Sequence, residues 1–205
     1  MKTEPLTYNN FYHIYNRGIN SCSIFNENTN HEHFLRLYDK HISPIAETFA
    51  WVLMKNHIHL LVKIKSENQI IEFNNNLSHQ GFKNLDGLKR INQQFSNLFN
   101  AYTKAFNKRY KRTGSLFEHT FKRIKINNNN YLHYLVYYIH HNPVHHGFCN
   151  SMVEYSWSSY LTILSPKETQ LKRTEVLKWF RNKNNFKEYH QNSKILNKFN
   201  SLHID

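Results

Sequence analysis

Residues 47–64 read ETFAWVLMKNHIHLLVKI. The stretch contains two runs rich in aliphatic, β-branched and aromatic side chains, residues 47–54 and 57–64, and only Lys55 and Asn56 separate them. Two such runs joined by two residues are typical of a tight β-hairpin. The sequence therefore predicts a pair of antiparallel strands in this part of the chain.

One strand and one helix are predicted before the hairpin. Residues 11–17 read FYHIYNR, in which apolar and polar side chains alternate up to Gly18, so this run is predicted to be a strand. In residues 30–45 the apolar side chains recur at helical spacing, with Asn30 at the expected N-cap position.

A long helix and a further strand are predicted after the hairpin. From Leu88 to Tyr110 apolar residues recur at steps of three and four, and Gly114 marks the end of this pattern. Residues 121–126 alternate again, as in a strand. Residues 66–76 fit either a short helix or a loop.

A last helix is predicted for residues 131–141, and it is expected to end near Asn142 because Pro143 disfavours the helical conformation in the residue before it. The order strand-helix-strand-strand-helix-strand, followed by this extra helix, matches the ferredoxin-like α+β fold with an antiparallel sheet. In that fold the first and third strands are central and both crossover helices cover one face. The extra helix is therefore expected to cover the other face.

The composition narrows the class of protein. The chain has 27 Lys and Arg against 14 Asp and Glu, a net charge of +13, which favours a polyanionic partner, nucleic acid before an anionic membrane. The longest apolar run, residues 49–54, is too short to span a membrane, so a cytoplasmic protein without a membrane partner is expected. Cys22 and Cys149 are expected to be free thiols. The sequence has no P-loop, dinucleotide-binding, nucleophile-elbow or HExxH motif.

The histidines of the hairpin are the first candidate site. His57 and His59 are two apart on a predicted strand, so both project from one face, about 6.5 to 7 Å apart, and can bind one metal ion. The aliphatic residues on either side of His59 take the opposite face, toward the crossover helices. The alternative is chance, because the chain contains 15 histidines and His31 and His33 repeat the pattern at a predicted helix start.

The last predicted helix carries the second candidate site. Tyr131, Tyr134, Tyr138 and Asn142 form a row beside its apolar stripe, and Tyr138 and Asn142 are one turn apart. If this helix covers the open face of the sheet, the row borders the two histidines. The alternative is that the tyrosines bury their rings and keep their hydroxyls in water.

Basic residues concentrate among aromatic residues. Lys and Arg neutralise phosphates whatever the base sequence, and aromatic rings stack on unpaired bases. The alternative is an ordinary solvated face. The residues predicted to contact nucleic acid are Arg17, Lys108, Arg109, Lys111, Arg112, Lys122, Arg123 and Lys125.

These motifs resemble those of a known family. Residues 51–62 (WVLMKNHIHLLV) resemble the histidine-hydrophobe-histidine (HUH) motif of the IS200/IS605-like single-strand transposases. Residues 138–144 (YIHHNPV) resemble the tyrosine motif of their REP-associated tyrosine transposase branch. Similarity to that branch also includes FYHIYNRG, GSLFEHTFKRIKI and YSWSSY, at residues 11–18, 114–126 and 155–160.

The resemblance implies a transposase, a metal-dependent single-stranded DNA nuclease and strand transferase with a 5′-phosphotyrosine intermediate. It implies that Tyr138 is the nucleophile and that His57, His59 and Asn142 bind Mg²⁺ or Mn²⁺, although many IS200-type relatives have Gln at the position of Asn142. Its partner would be single-stranded or hairpin DNA. Relatives act as monomers or as homodimers, and both stay open. Residues 1–165 would form the catalytic domain, and residues 166–205 are expected to be a basic, polar, partly helical tail.

Three other classes stay open. A non-catalytic nucleic-acid-binding module of the RNA-recognition type has the same order of elements, but residues 57–64 lack its Gly and aromatic pattern. A domesticated relative would bind DNA hairpins without cutting them. A structural zinc protein is disfavoured, because two histidines and no paired cysteines make a poor closed tetrahedral site.

Overall fold

The computed structural model describes residues 4–76 and 87–192 of the 205-residue chain. Its strands are β1 (Phe11–Arg17), β2 (Ala46–Leu53), β3 (His57–Ile64) and β4 (Lys122–Ile126). Its helices are α1 (Asn28–His41), α2 (Glu67–Asn76), α3 (Gly87–Arg109), α4 (Asn129–His145), α5 (Tyr160–Leu164), α6 (Arg173–Trp179) and α7 (Lys183–Gln191). A short 3-10 turn, Ile19–Ser21, follows β1.

The strands of the described residues form one antiparallel sheet in the order β2-β3-β1-β4. β1 and β3 occupy its centre, and α2 is an additional helix before α3. The predicted ferredoxin-like α+β fold is therefore confirmed. The predicted hairpin is confirmed too, although β2 lies one residue earlier than predicted. The turn is closed by Met54, whose N–H donates to the carbonyl of His57 over 2.8 Å.

Each face of the sheet carries its own hydrophobic core. Alternate residues of β3 face α1 and α3 as predicted, and α4 packs against the other face. Full burial of one such aliphatic side chain stabilises the fold by about 1.5–3 kcal/mol, so both cores fix the sheet between its helices. Members of the first core include Ile58, Leu60, Val62, Ile64, Phe34 and Phe95, and members of the second include Val52, Leu61, Leu135, Val136 and Ile139.

Helix α1 begins two residues before the predicted N-cap. Asn30 is the third residue of the helix, and Glu27 is the N-cap in a reciprocal capping box with it. The Glu27 carboxylate accepts the backbone N–H of Asn30, and the Asn30 side chain accepts that of Glu27. Arg109 and Tyr110 also donate to this carboxylate. The long-range partners, which the local pattern does not reveal, therefore place the helix start at Asn28.

Helix α4 runs through the proline that was predicted to end it. The prediction that it ends near Asn142 is wrong, because α4 continues to His145 with Pro143 inside it. Proline removes one helical N–H, the donor to the carbonyl four residues earlier. Helical bonding then resumes, since the N–H of His146 donates to the carbonyl of Asn142 over 3.0 Å. The added turn carries the row of Tyr138 and Asn142 on to His146.

The tip of the β2–β3 hairpin is tied to the chain after β1. The N–H of Gly18 donates to the carbonyl of Asn56 over 2.8 Å, and that of Ile24 to the carbonyl of Lys55 over 2.7 Å. A β-carbon at Gly18 would lie 2.2 Å from the carbonyl oxygen of Cys22. Because a backbone atom cannot swing aside, this close approach requires glycine.

The chain after α4 covers the free edge of β2. Leu53 donates its N–H to the carbonyl of Trp157, and Ser159 donates its N–H to that of Trp51, each over 2.9 Å. The Ser159 hydroxyl also accepts the N–H of Trp51. This pairing satisfies edge groups that would otherwise invite another strand.

Two helices lie in the predicted C-terminal tail. Three of their apolar side chains are buried in the second core, where they pack with residues of α4: Val176 of α6, Phe180 directly after α6, and Phe186 of α7. The tail is thus partly helical within residues 166–192, and residues 193–205 lie outside the described residues. The division of the chain at residue 165 stays a prediction.

A buried chain of hydrogen bonds joins α7 to α4. His140 Nδ1 lies 3.0 Å from His190 Nε2, and His140 Nε2 lies 2.8 Å from the hydroxyl of Ser159. His190 Nδ1 lies 2.7 Å from the carbonyl of Phe186, which can only accept, so His190 donates from Nδ1. With both rings neutral, Nε2 of His190 accepts the Nδ1–H of His140, and Nε2 of His140 accepts the hydroxyl of Ser159.

Buried neutral histidines predict that the fold loses stability in acid. Desolvation lowers the pKa of His31 to about 4 and that of His190 to about 3, both from an ordinary value of 6.5. The unfolded chain therefore binds more protons. The stability that both rings contribute is complete above pH 6.5 and is lost as the pH falls toward these values. For each pH unit of acidification in this range, each ring lowers the free energy of unfolding by up to about 1.4 kcal/mol. Urea unfolding at about pH 7.5 and about pH 5.5 measures this loss, and an equal free energy of unfolding at both would contradict it.

The remaining expectations concern thiols and membranes. Cys22 and Cys149 are free cysteines, as predicted. Among residues 4–76 and 87–192, no helix combines the length and the apolar character that crossing a bilayer requires.

Candidate functional site

Two imidazoles project from β3 toward α4. The ring centroids of His57 and His59 lie 5.2 Å apart, with the ring planes at 85°. Only 5% and 2% of these residues is exposed to solvent. The pair lies on the sheet face that strand alternation predicts.

Tyr138 of α4 contacts the same imidazoles. Its ring centroid lies 5.4 Å from that of His59 and 5.7 Å from that of His13, in both cases edge to face. Tyr138 is 2% exposed. The structure thus brings the predicted nucleophile and the predicted metal ligands together in one interior cluster.

Asn142 lies one turn further along α4 and is completely buried. Its Nδ2 donates to the carbonyl of Tyr138 over 3.3 Å, which fixes the orientation of the amide. Its Oδ1 is buried and accepts no hydrogen bond from the described residues, and the same holds for Nε2 of His59. A buried polar atom without a partner is costly, so both atoms are candidates for binding an ion or a substrate group.

A cation at this cluster would need donors of different kinds. Within the described parts of the chain, no three His, Cys, Asp or Glu side chains form a group that could hold a metal ion. The ligand set predicted from the sequence combines the imidazoles of His57 and His59 with the amide oxygen of Asn142. Neutral imidazole nitrogen and amide oxygen are both established metal donors.

His13 is a member of the cluster that the sequence prediction missed. Its Nε2 lies 2.9 Å from Nδ1 of His59, and the two rings are nearly parallel, with centroids 5.1 Å apart. Strand alternation puts His13 on the same face as Phe11 and Tyr15. Both faces of that strand mix aromatic and polar residues, so alternation alone does not say which face meets the site.

His146 is the second missed member. Its ring centroid lies 4.7 Å from that of His57, edge to face. His146 follows Tyr138 by eight residues, two helical turns, and would have been found if the helix had been predicted to continue past Pro143.

The electrostatics of the cluster favour a neutral His59. Burial lowers the pKa of His59 well below its ordinary value, and the neighbouring His13, His57, His146 and Arg17 lower it further. A neutral imidazole keeps a lone pair for an ion, whereas a protonated one does not.

Polar side chains border the buried cluster. Tyr15, which is partly exposed, stacks on His13 with centroids 4.9 Å apart and on His59 at 5.7 Å. Nζ of the exposed Lys122 lies 5.8 Å from the centre of the Tyr15 ring. A separate cleft of about 440 Å³, lined by residues that include Phe34, Tyr38 and Leu60, lies against the other face of the sheet.

Two of the predicted DNA-contacting residues share the face of the cluster. Arg17 lies opposite His57 in the pairing of β1 with β3, and Lys122 lies opposite Tyr15 in the pairing of β4 with β1. Directly opposed residues of an antiparallel pair point to the same face. Arg17 and Lys122 therefore place positive charge next to the histidines.

The other six predicted basic residues lie elsewhere. Arg123 and Lys125 alternate with Lys122 and face α3, where Arg123 donates to the Asn92 side chain and its guanidinium lies 4.3 Å from the centre of the Phe121 ring. The remaining four, Lys108, Arg109, Lys111 and Arg112, lie in the last turn of α3 or just after it. Two of them have partners within the fold: Arg109 is paired with Glu27, and Arg112 donates to Asn107 and Ser115. The structure does not bring all eight into one patch.

Comparison with solved structures finds a similarity in fold. The chain resembles a solved structure described as a REP-associated tyrosine transposase bound to a REP hairpin, with a TM-score of 0.57 and 15% sequence identity. The match covers 81% of this chain and 87% of that chain. At this identity the likeness shows a shared fold. No family model and no curated protein matches the sequence.

Proposed function

We propose that the protein is a transposase that cuts and rejoins single-stranded DNA with a divalent metal ion, through a 5′-phosphotyrosine intermediate. The observation that carries the proposal is the contact of Tyr138 with His59, whose ring centroids lie 5.4 Å apart inside the cluster. The fold shared with a transposase bound to a REP hairpin supports a DNA partner.

The reaction assigned to Tyr138 is a displacement at phosphorus. Its Oη forms a bond to the phosphorus of a phosphodiester, while the bond from phosphorus to the 3′-oxygen of the upstream strand breaks. The phenol loses its proton and the leaving oxygen gains one, so the products are a 5′-phosphotyrosine and a free 3′-hydroxyl. The covalent bond preserves the phosphodiester, and the 3′-hydroxyl of another strand can reverse the step without ATP.

The roles of the other residues follow from their positions. His57, His59 and Asn142 are assigned as ligands of Mg²⁺ or Mn²⁺, which when bound polarises a nonbridging phosphate oxygen. Two nitrogens and one oxygen favour Mn²⁺, because Mg²⁺ is bound mainly by oxygen. The Asn142 amide keeps its Oδ1 directed away from the helix by donating to the Tyr138 carbonyl.

The basic residues are assigned to the DNA backbone. Arg17 and Lys122 lie on the face of the cluster and are assigned to phosphates next to the cleaved bond. Lys108 and Lys111, in the last turn of α3 and just after it, are assigned to phosphates further along a hairpin. Arg109, Arg112 and Arg123 are engaged within the fold, and Lys125 lies on the opposite face of β4 from Lys122, so these four predicted contacts are not assigned to the DNA near the cluster. Phosphate contacts weaken as salt concentration rises, because binding releases condensed counterions.

The burial of the cluster implies a conformational step before the chemistry. Tyr138 and His59 are each 2% exposed, so a phosphodiester reaches them only when the cover of the cluster opens. α4 carries Tyr138, Asn142 and the following His146, and we assign the opening to movement of α4 away from the sheet. The described form is the closed state in this scheme.

The same burial favours a second candidate function. A protein whose cluster stays closed would bind DNA hairpins through its positive surface without cutting them. His57, His59 and Tyr138 would then be packing residues, with at most 5% of each exposed.

The test is a cleavage assay with the full chain and a randomised pool of single-stranded hairpin oligonucleotides. With Mn²⁺ the proposed function predicts cleavage and an adduct that survives denaturing gels. A 3′ label should stay on the protein, while a 5′ label leaves on a fragment with a free 3′-hydroxyl. EDTA should suppress both products, and fully paired duplex is the control substrate. Hairpin binding without any adduct would favour the second candidate, and absence of binding would contradict both.

A further inference from the structure

His13 has no role in the chemistry described so far, yet it is bonded to a proposed metal ligand. Its Nε2 lies 2.9 Å from Nδ1 of His59. His13 is completely buried and His59 is 2% exposed, so water does not compete for this bond.

The register of the central strands explains the contact. His13 lies opposite Leu61, and His59 lies opposite Tyr15, so the two histidines are diagonal neighbours on one face of the sheet. Diagonal neighbours lie about 7–8 Å apart, which aromatic side chains can bridge. Because both strands are central and paired on both sides, the backbone holds the two rings in place.

We propose that His13 is a positioning residue that accepts the Nδ1–H of His59 and so leaves Nε2 of His59 with its lone pair toward the cluster. The metal part of this inference rests on the proposed function. A neutral imidazole carries one N–H, so a His59 that binds an ion through Nε2 carries its hydrogen on Nδ1. Nε2 of His13 is the atom that the structure places within hydrogen-bond distance of that nitrogen.

The chemistry of the acceptor suits a phosphate substrate. Metal-binding histidines commonly donate their other N–H to a carboxylate or a backbone carbonyl. In this protein an imidazole nitrogen takes that place. It orients His59 as a carboxylate would, but it adds no negative charge to a cluster that must admit a phosphodiester.

The test combines metal affinity with the position of the hydrogen. His13→Phe keeps a ring but removes the acceptor, and His13→Gln restores an acceptor oxygen at a similar distance from the backbone. We expect Mn²⁺ affinity, measured by the paramagnetic resonance of free Mn²⁺, to fall about 10- to 100-fold in His13→Phe and to recover in His13→Gln. His190→Phe, which alters the other buried histidine pair, is the matched control and should keep the wild-type affinity.

The second readout needs neither metal nor DNA. Nitrogen-15 NMR of the metal-free wild type should show His59 protonated on Nδ1, and His13→Phe should lose that preference. A hydrogen on Nε2 in the wild type would overturn the inference, even if His13→Phe fails to fold, and so would an unchanged Mn²⁺ affinity in His13→Phe. If both readouts agree with expectation while the wild type cuts no DNA, the proposed function fails and the positioning role stands.

Discussion

Replacing Tyr138 with Phe is expected to abolish the covalent DNA adduct and to reduce cleavage by about four orders of magnitude or more, because the variant lacks the attacking oxygen. The phenyl ring still packs edge to face against His13 and His59, so the fold should persist. Hairpin binding should change by less than about twofold, since phosphate contacts by basic residues dominate affinity. Denaturing gels measure the adduct, and fluorescence anisotropy measures binding.

The matched control is Tyr137→Phe. Tyr137 is adjacent in sequence and equally buried, but its ring lies against Tyr189 and His190, on the side of α4 that faces α7. This variant should form the adduct at the wild-type rate. An undiminished adduct in Tyr138→Phe would exclude Tyr138 as the nucleophile.

Replacing His59 with Ala is expected to have the second largest effect. The variant loses an assigned metal ligand, and single-turnover cleavage should fall by about 10²- to 10³-fold, the range typical for one lost transition-state contact. The Mn²⁺ concentration for half-maximal cleavage should rise, whereas hairpin binding should be retained. His59→Ala also removes the hydrogen-bond partner of the buried Nε2 of His13, which costs about 1–3 kcal/mol of stability, so thermal unfolding is measured in parallel.

His31 and His33, which repeat the HxH pattern outside the cluster, provide a control. His33→Ala alters the HxH pattern at the start of α1, where the ring of His33 lies against Tyr102 of α3. Its cleavage and its Mn²⁺ dependence should match the wild type. If His59→Ala cuts as well as the wild type, or if it unfolds while His59→Gln folds and cuts normally, the histidines are structural and the metal assignment is wrong.

Local periodicity was sufficient to predict the main positions of the site. Alternation places His57 and His59 on one face of β3 because Ile58 and Leu60 fill the other face. Helical geometry places Tyr138 and Asn142 one turn apart on α4. These rules depend on backbone geometry alone, and the order of elements then fixes which face α4 covers.

The features that were missed depend on contacts between distant residues. His13 joins the cluster only through the register of β1 against β3, which no local pattern encodes. His146 was not predicted as part of the site because Pro143 locally disfavours a helix. Packing against the sheet nevertheless extends α4 to His145. The start of α1 was predicted two residues too late because the N-cap residue Glu27 is fixed by hydrogen bonds from Arg109 and Tyr110, more than eighty positions away.

Charge was predictable in amount but not in arrangement. The composition indicates a surplus of positive charge, yet Arg109 is paired with Glu27 and Arg123 is partly buried beside Asn92. Lys122, by contrast, faces the cluster together with Arg17. The register of the strands and the positions of the helix ends determine which basic residues face a common partner.

The most direct measurement is peptide mapping of the wild-type protein after reaction with a cleavable hairpin oligonucleotide and Mn²⁺. Nuclease and protease digestion followed by tandem mass spectrometry identifies which of the 13 tyrosines carries a nucleotide. We expect a 5′-linked nucleotide on the peptide that contains Tyr138 and on no other. A nucleotide on a different residue, or cleavage that leaves no modified peptide, would contradict the assignment of Tyr138 as the nucleophile.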